Sequence, residues 1–409
     1  MRDSPSLRVP PFASRLPLRG IVIGLWCAAV VGVSVQGIIH PNNNFAIFRG
    51  SWDNLVAGRD LYAPSSQYRD LFKYSPTFAL LFAPFAMLPY GLALLAWNAL
   101  NAGLLYLALG RLLPPGEVIA ARVLVFLDMF GSLQNAQSNA LVAALIILTF
   151  SELARGRHLA AAMAVTAGTF IKVFPVAAGV LIFLQPRKLR FVALSALCGV
   201  LFLLAPLLVT SPSSLAAQYR SWHVVESGDA LSRMHSVMQQ VHLLFNVDWP
   251  NWPQQLAGVV ILLFPLALRR ERLGEPRFQR LFLASLLIFC VIFNHQSESP
   301  TFVIATSGVA IWFLTVERTR SSWALLAFVV VGTTLAKSEL MPSVVRHDVV
   351  DRYYFKTVPC LVVWAVLQAQ LWRRGQSAAN DTSSMSPRRN RESSSGEVSA
   401  ASSRSRTVV

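Results

Sequence analysis

Apolar runs dominate this chain, separated by short charged joints and two long polar loops. The runs are apolar on every face instead of along one stripe, which separates membrane-embedded helices from the amphipathic helices of a soluble bundle. The first covers residues 18–38. Others follow at 91–112, 118–131, 140–153, 191–210 and 357–372, with more between 254 and 336. The run 159–184 lies between two basic joints, ARGRH and QPRKLR, so it is expected to cross twice. Its predicted break is at 172–175, where a lysine is followed closely by a helix-breaking proline.

The alternation of arginine-rich joints predicts an orientation. Arg2, Arg8, Arg15 and Arg19 place the N-terminus in the cytoplasm. The first run is long and lacks a small-x-small cleavage site, so an uncleaved anchor is expected. Residues 40–74 and 211–253 then form long outer loops, and 134–139, 294–300 and 337–356 shorter outer connections. Residues 75–88 hold Pro76, Pro84 and Pro89 and are too short for an ordinary span, which predicts a re-entrant or interfacial helix. The expected fold class is all-α: a polytopic helical membrane bundle of about 12 spans with a re-entrant segment after the first outer loop. A cytoplasmic segment, 1–17, precedes the membrane domain, 18–373. The Ser/Arg-rich tail, 374–409, is expected to be disordered and cytoplasmic.

Composition agrees with this picture, with 54% hydrophobic and 14% charged residues against a globular norm of about a quarter charged. The net charge of +16 does not point to nucleic acid, because the basic residues are spread over joints and tails with no nucleic-acid motif. Cys27, Cys198, Cys290 and Cys360 lie far apart inside apolar runs and read as small packing residues. No metal-ligand spacing occurs, and neither a phosphate-binding loop nor a nucleophile elbow is present, so no metal or cofactor is expected.

Ionisable groups within or beside apolar runs carry the candidate chemistry. Lys172 interrupts AAAMAVTAGTFIKVFPVAAGVLIFL; it is either a snorkelling lysine or a cation facing a cavity that takes a phosphate. Lys73 and Lys356 fall at the ends of outer loops and join it as phosphate-binding candidates. In the first loop, Asp53 reads as the solvated face of a surface helix and Asp60 as a turn cap. Asp70 lies three residues before Lys73, which predicts one shared helical face and either a general base beside a phosphate or a structural ion pair. Trp52, Tyr62 and Tyr74 are the loop aromatics suited to stacking on a sugar. The second loop carries His223, Glu226, Asp229, Arg233, His235, Gln239 and His242. His235, Gln239 and His242 are spaced for one face, which fits a polar groove wall or an interfacial amphipathic helix. Glu298 stands at the outer end of a later run.

Three stretches carry a family likeness: NNFAIFRGSWDNLVAGRDLY, then FKYSPTFALLFAPFAMLPYGLALLAWNALNAGLL, then QSNALVAALIILTFSELARGRHLAAAMAVTAGTFIKVFPV. Their spacing of loop, Y-S-P re-entry, Q-x-N turn and I-K-x-F-P resembles glycosyltransferase family 87, from about residue 40 to 190 and more loosely to 370. The resemblance implies a GT-C architecture and inverting transfer of a hexose, mannose by likeness. The donor would be a polyprenyl-phosphate sugar and the acceptor a lipid or glycan, on the extracytoplasmic face of the plasma (inner) membrane. Family members open the first outer loop with an aspartate in a D-F/Y-x-x-Y pattern, to which the base role is ascribed. Asn44 holds that position here. A neutral amide orients a hydroxyl but does not take its proton, so Asp70, Asp60 or Asp53 becomes the expected base. The alternative is a non-catalytic glycolipid transporter or assembly partner derived from that family.

Overall fold

The computed structural model describes residues 16–185, 188–338 and 341–373, and every regular element among them is helical. Most of the expected N-terminal segment and all of the expected disordered tail lie outside the described residues.

The first apolar run forms α1 (Leu16–Ile39). It is followed by α2 (Asn43–Val56), an irregular stretch over 57–75, and two short helices, α3 (Pro76–Leu81) and α4 (Ala83–Ala86). The chain continues as α5 (Tyr90–Leu112), α6 (Pro115–Leu124), α7 (Phe126–Gln134), α8 (Asn139–Ala154) and α9 (His158–Ile171). A 3-10 helix, Phe174–Leu184, leads to α10 (Lys188–Leu204), α11 (Pro212–Gly228) and α12 (Val237–Phe245). The remainder is α13 (Asn251–Leu268), α14 (Pro276–Ile292), α15 (Phe302–Thr315), α16 (Arg320–Val329), α17 (Ser343–Val345) and α18 (Thr357–Trp372). Every segment expected to cross a membrane is helical, some with an internal break, as between α6 and α7.

Among the described residues, four helices are long and apolar enough to span a bilayer alone: Leu18–Ile39, Tyr90–Leu112, Lys188–Leu208 and Asn251–Leu268. α8, α14 and α15 are shorter, and nearly all their residues are buried. Protein covers them, so their length need not match the ~30 Å hydrocarbon core. Gly308 shows how closely α14 and α15 approach, since a Cβ there would lie 2.6 Å from the Ala284 carbonyl oxygen. α10 instead exposes Leu189, Leu197, Val200 and Leu201, as a lipid-facing helix does.

Local sequence explains the bends around the site. α9 stops at Ile171 because Lys172 is extended, with φ −141° and ψ 139°, and Pro175 follows within the 3-10 helix. This is the break expected within 159–184. α3 begins at Ser75, whose side chain accepts from the Phe78 N–H, with Pro76 in the first turn. The same hydroxyl donates to the Phe170 carbonyl at 2.5 Å, and Thr77 Oγ1 donates to the Phe202 carbonyl at 2.7 Å. The helices expected to re-enter thus lean on α9 and α10. Phe45, Phe48, Phe78, Phe82 and Trp97 interlock beneath the first loop, with ring centroids 5.0 to 6.1 Å apart.

Gln218 of α11 is buried and joins the two long loops. Its Oε1 accepts from Leu61 N at 3.0 Å, and its Nε2 donates to the Arg59 carbonyl at 2.8 Å. One local expectation fails: Asp70 and Lys73 lie in the irregular stretch, so they share no helical face.

Candidate active site

The two long loops, the break after α9 and the connection from α14 to α15 enclose a cavity of about 1110 Å³. Asn44, Asp70, Lys73, Tyr74, Lys172 and Glu298 all border it, so the fold gathers six of the expected residues.

Lys172 Nζ donates to Asn139 Oδ1 at 2.8 Å and lies 5.8 Å from the centre of the Tyr74 ring. Asn139 Nδ2 donates to Gln137 Oε1 at 2.5 Å, and Gln137 Nε2 donates to the Glu298 carboxylate. Lys172 and Glu298 are therefore linked through two buried carboxamides. Each amide turns its oxygen toward the cation and its hydrogens toward the anion, a polarity that only a group with both functions supplies.

A second network crosses the opposite wall. Lys73 Nζ lies 2.5 Å from Asp229 Oδ2. Gln296 Nε2 donates to Asp229 Oδ2 at 3.2 Å and to Glu226 Oε2 at 3.4 Å. Burial, reinforced by Asp229, holds the Glu226 carboxyl above its usual range. Burial also pushes the nearby His295 imidazole below its usual value, so the neutral ring is favoured there. Lys73 is thus partly neutralised by a carboxylate, whereas Lys172 meets a neutral amide.

The first-loop carboxylates separate by position. Asp70 is exposed and borders the cavity; its Oδ2 accepts from Asn43 Nδ2 at 2.8 Å. Asn43 Oδ1 accepts from the Arg69 N–H at 2.9 Å, which fixes the backbone beside Asp70. Asp60 does cap a turn, with Oδ1 accepting from Tyr62 N at 3.1 Å, and it lines a separate small cleft with Ser213, Ser214 and Ser221. Asp53 is on the exposed face of α2. Asn44 borders the cavity while its Nδ2 donates to the Asn135 carbonyl at 2.9 Å, a bond that an aspartate could not make.

Other expected residues do not border the cavity. Trp52 is half-buried on α2. Tyr62 is buried, and its hydroxyl donates to the Tyr74 carbonyl at 2.8 Å. His235 precedes α12 instead of lying on it, and is buried edge-on against Phe302 and Tyr354. It therefore shares no helical face with Gln239 and His242. Gln239 lies in the first turn of α12, its N–H donating to the N-cap Ser236 Oγ at 3.3 Å. Lys356 is buried and points to Ser299 Oγ at 2.8 Å.

Sequence reasoning named Glu226 and Asp229 in the second loop without giving them a role, and met Gln137 and Asn139 only as the Q-x-N turn of the family likeness. It did not single out Gln296, whose available signal was only its place at the end of an apolar run.

The profile of glycosyltransferase family 87 matches residues 72–293. That range takes in Lys73, Tyr74, Gln137, Asn139, Lys172, Glu226 and Asp229 but not Asn44, Asp53, Asp60, Asp70 or Glu298. No curated protein matches the chain significantly. The family match covers more than half of the sequence, in a helical membrane protein with a charged cavity, and the chain belongs to glycosyltransferase family 87.

Proposed function

We propose that the cavity transfers a hexose from a polyprenyl-phosphate donor to a hydroxyl of a lipid or glycan acceptor, with mannose as the sugar. A glycosyltransferase needs a sugar donor and an acceptor. The observation that carries this reading is the meeting in one cavity of Asp70, an exposed carboxylate, with Lys172, a cation whose hydrogen-bond partner is neutral.

In this mechanism Lys172 holds the donor phosphate and stabilises the charge that develops as it leaves. Lys73 assists when the phosphate draws it from Asp229. Asp70 takes the proton of the acceptor hydroxyl, whose oxygen forms a bond to the anomeric carbon. The bond from that carbon to the phosphate oxygen breaks, the electron pair leaves with the lipid phosphate, and configuration inverts. Asn44 orients a hydroxyl, and Tyr74 and Glu298 contact sugar. No cofactor takes part.

The arginine-rich joints favour a multi-pass protein of the plasma (inner) membrane with both termini cytoplasmic and the two long loops outside. Cysteine tags at Ser65 and Ser213 should then label from outside, and a tag at Gly274 only from inside. A cytoplasmic Ser65 removes the cavity from the donor side and overturns the reading.

Purified protein in lipid nanodiscs, given radiolabelled polyprenyl-phosphate-mannose and a panel of lipid acceptors, tests the chemistry. Label in an acceptor lipid supports transfer. Donor binding or flipping without any transfer supports a transporter instead.

A further inference from the structure

Glu298 is exposed, while the residues on either side of it are anchored from behind. Ser297 is buried; its hydroxyl donates to the Val291 carbonyl at 2.7 Å, and its own carbonyl accepts the His235 backbone N–H at 3.0 Å. Ser299 is held by Lys356, whose Nζ donates to the hydroxyl at 2.8 Å and to the carbonyl at 3.3 Å. Phe302 fills the space between the two anchors. The His235 ring stands edge-on to it at 5.9 Å, and the Lys356 ammonium lies 5.0 Å from its centre.

Lys356 is 4% exposed and does not border the cavity. Thr333 Oγ1 donates to its carbonyl at 2.9 Å, and the buried Asp128 lies within electrostatic reach of its ammonium. Asp128 is itself held by Thr334 Oγ1 at 2.7 Å. Burying an ammonium is costly, and an apolar side chain would fill the same space more cheaply. The amine nevertheless spends its hydrogen bonds on the residue next to Glu298.

We propose that Lys356 is a positioning residue, whose grip on Ser299 fixes the backbone that presents Glu298 to the substrate cavity. That Glu298 meets a sugar rests on the glycosyl-transfer reading above; the restraint on residue 298 does not.

The test uses the full chain in nanodiscs, with Cys27→Ser and Cys290→Ser to remove an exposed thiol and a cavity-lining one. Ser297→Cys, a near-isosteric change at a fully buried position, then reports opening of the segment through its labelling rate with a water-soluble maleimide. Ser51→Cys, fully buried on α2, reports global loosening. Lys356→Met should raise labelling at 297 by about tenfold, as expected for losing a hydrogen bond to a charged donor, with no change at 51. Ser299→Ala, which removes only the hydroxyl half of the contact, should raise it by a smaller factor. Equal changes at both reporters make Lys356 a general fold residue and overturn the proposal. So does unchanged labelling at 297 in both variants. In the transfer assay Lys356→Met should lower kcat with the donor KM nearly unchanged; a rise in donor KM alone would instead put Lys356 on the phosphate. Absence of transfer in the parent protein would sink the functional reading and leave the labelling result to stand.

Discussion

The Lys73 ammonium meets the Asp229 carboxylate at 2.5 Å, joining residues 156 positions apart and closing the first long loop against the end of α11. The side chains remain 44% and 28% exposed, so solvent screens the pair and it contributes no more than about 0–1 kcal/mol to stability. Its larger consequence is that Lys73 is occupied before any anionic ligand arrives.

Asp229→Asn should therefore free Lys73 and tighten donor binding, while Lys73→Met weakens it. Donor titrations at low and high salt check this, because the gain should shrink as salt screens the cation. Weaker donor binding in Asp229→Asn would mean that the carboxylate itself contacts the donor.

Lys172→Met should weaken donor affinity by about 1.5–3 kcal/mol, roughly ten- to hundredfold, through loss of one charged contact to phosphate. Insertion and expression should stay near those of the parent, since Asn139 loses only one of its partners. Equilibrium binding of the labelled donor measures the effect. Unchanged affinity would return Lys172 to a packing role.

Glu226 predicts a pH dependence. Burial raises its pKa in the folded chain, so the folded state binds this proton more tightly than the unfolded one. The stabilisation is complete below the ordinary glutamate range and is lost as pH rises through the raised value. Glu226→Gln keeps the shape without the charge. It should be more stable than the parent near neutral pH, and the difference should vanish on acidification below the ordinary range. Thermal midpoints from about pH 4 to 8 show this; a parent that is the more stable at neutral pH contradicts it.

Asn44→Asp restores an acid at the position where the family resemblance expects one, yet it removes the donor to the Asn135 carbonyl and sets a carboxylate against that oxygen. A stability loss of about 0.5–1.5 kcal/mol is expected, the worth of one partly exposed hydrogen bond. Unfolding in denaturant measures it, and full stability combined with faster transfer would show that Asn44 is the compromised residue.

Much of this architecture was legible because apolar helices repeat one simple pattern. The break at Lys172, the proline-rich entry at Ser75 and the turn cap at Asp60 all follow from local chemistry. The pairing of Asp70 with Lys73 was misread because an i, i+3 spacing carries meaning only on a helix, and residues 57–75 have none. Lys356 and His235 looked like cavity residues from their place near the loops, but burial directs them behind Glu298. The amide link from Lys172 to Glu298 joins residues up to 161 positions apart, and no local pattern encodes such partners.

The central claim is that Asp70 is the base in a cavity that transfers sugar from a lipid phosphate. It is tested most directly by initial rates of label transfer from polyprenyl-phosphate-mannose in Asp70→Asn, Asp60→Asn and Asp53→Asn proteins of equal fold. Asp70→Asn is nearly isosteric and should lose about 10²–10⁴-fold in rate, with the other two close to the parent. Full turnover in Asp70→Asn would contradict the account and move the base to Asp60 if that variant alone is dead, or to Glu298 if all three remain active.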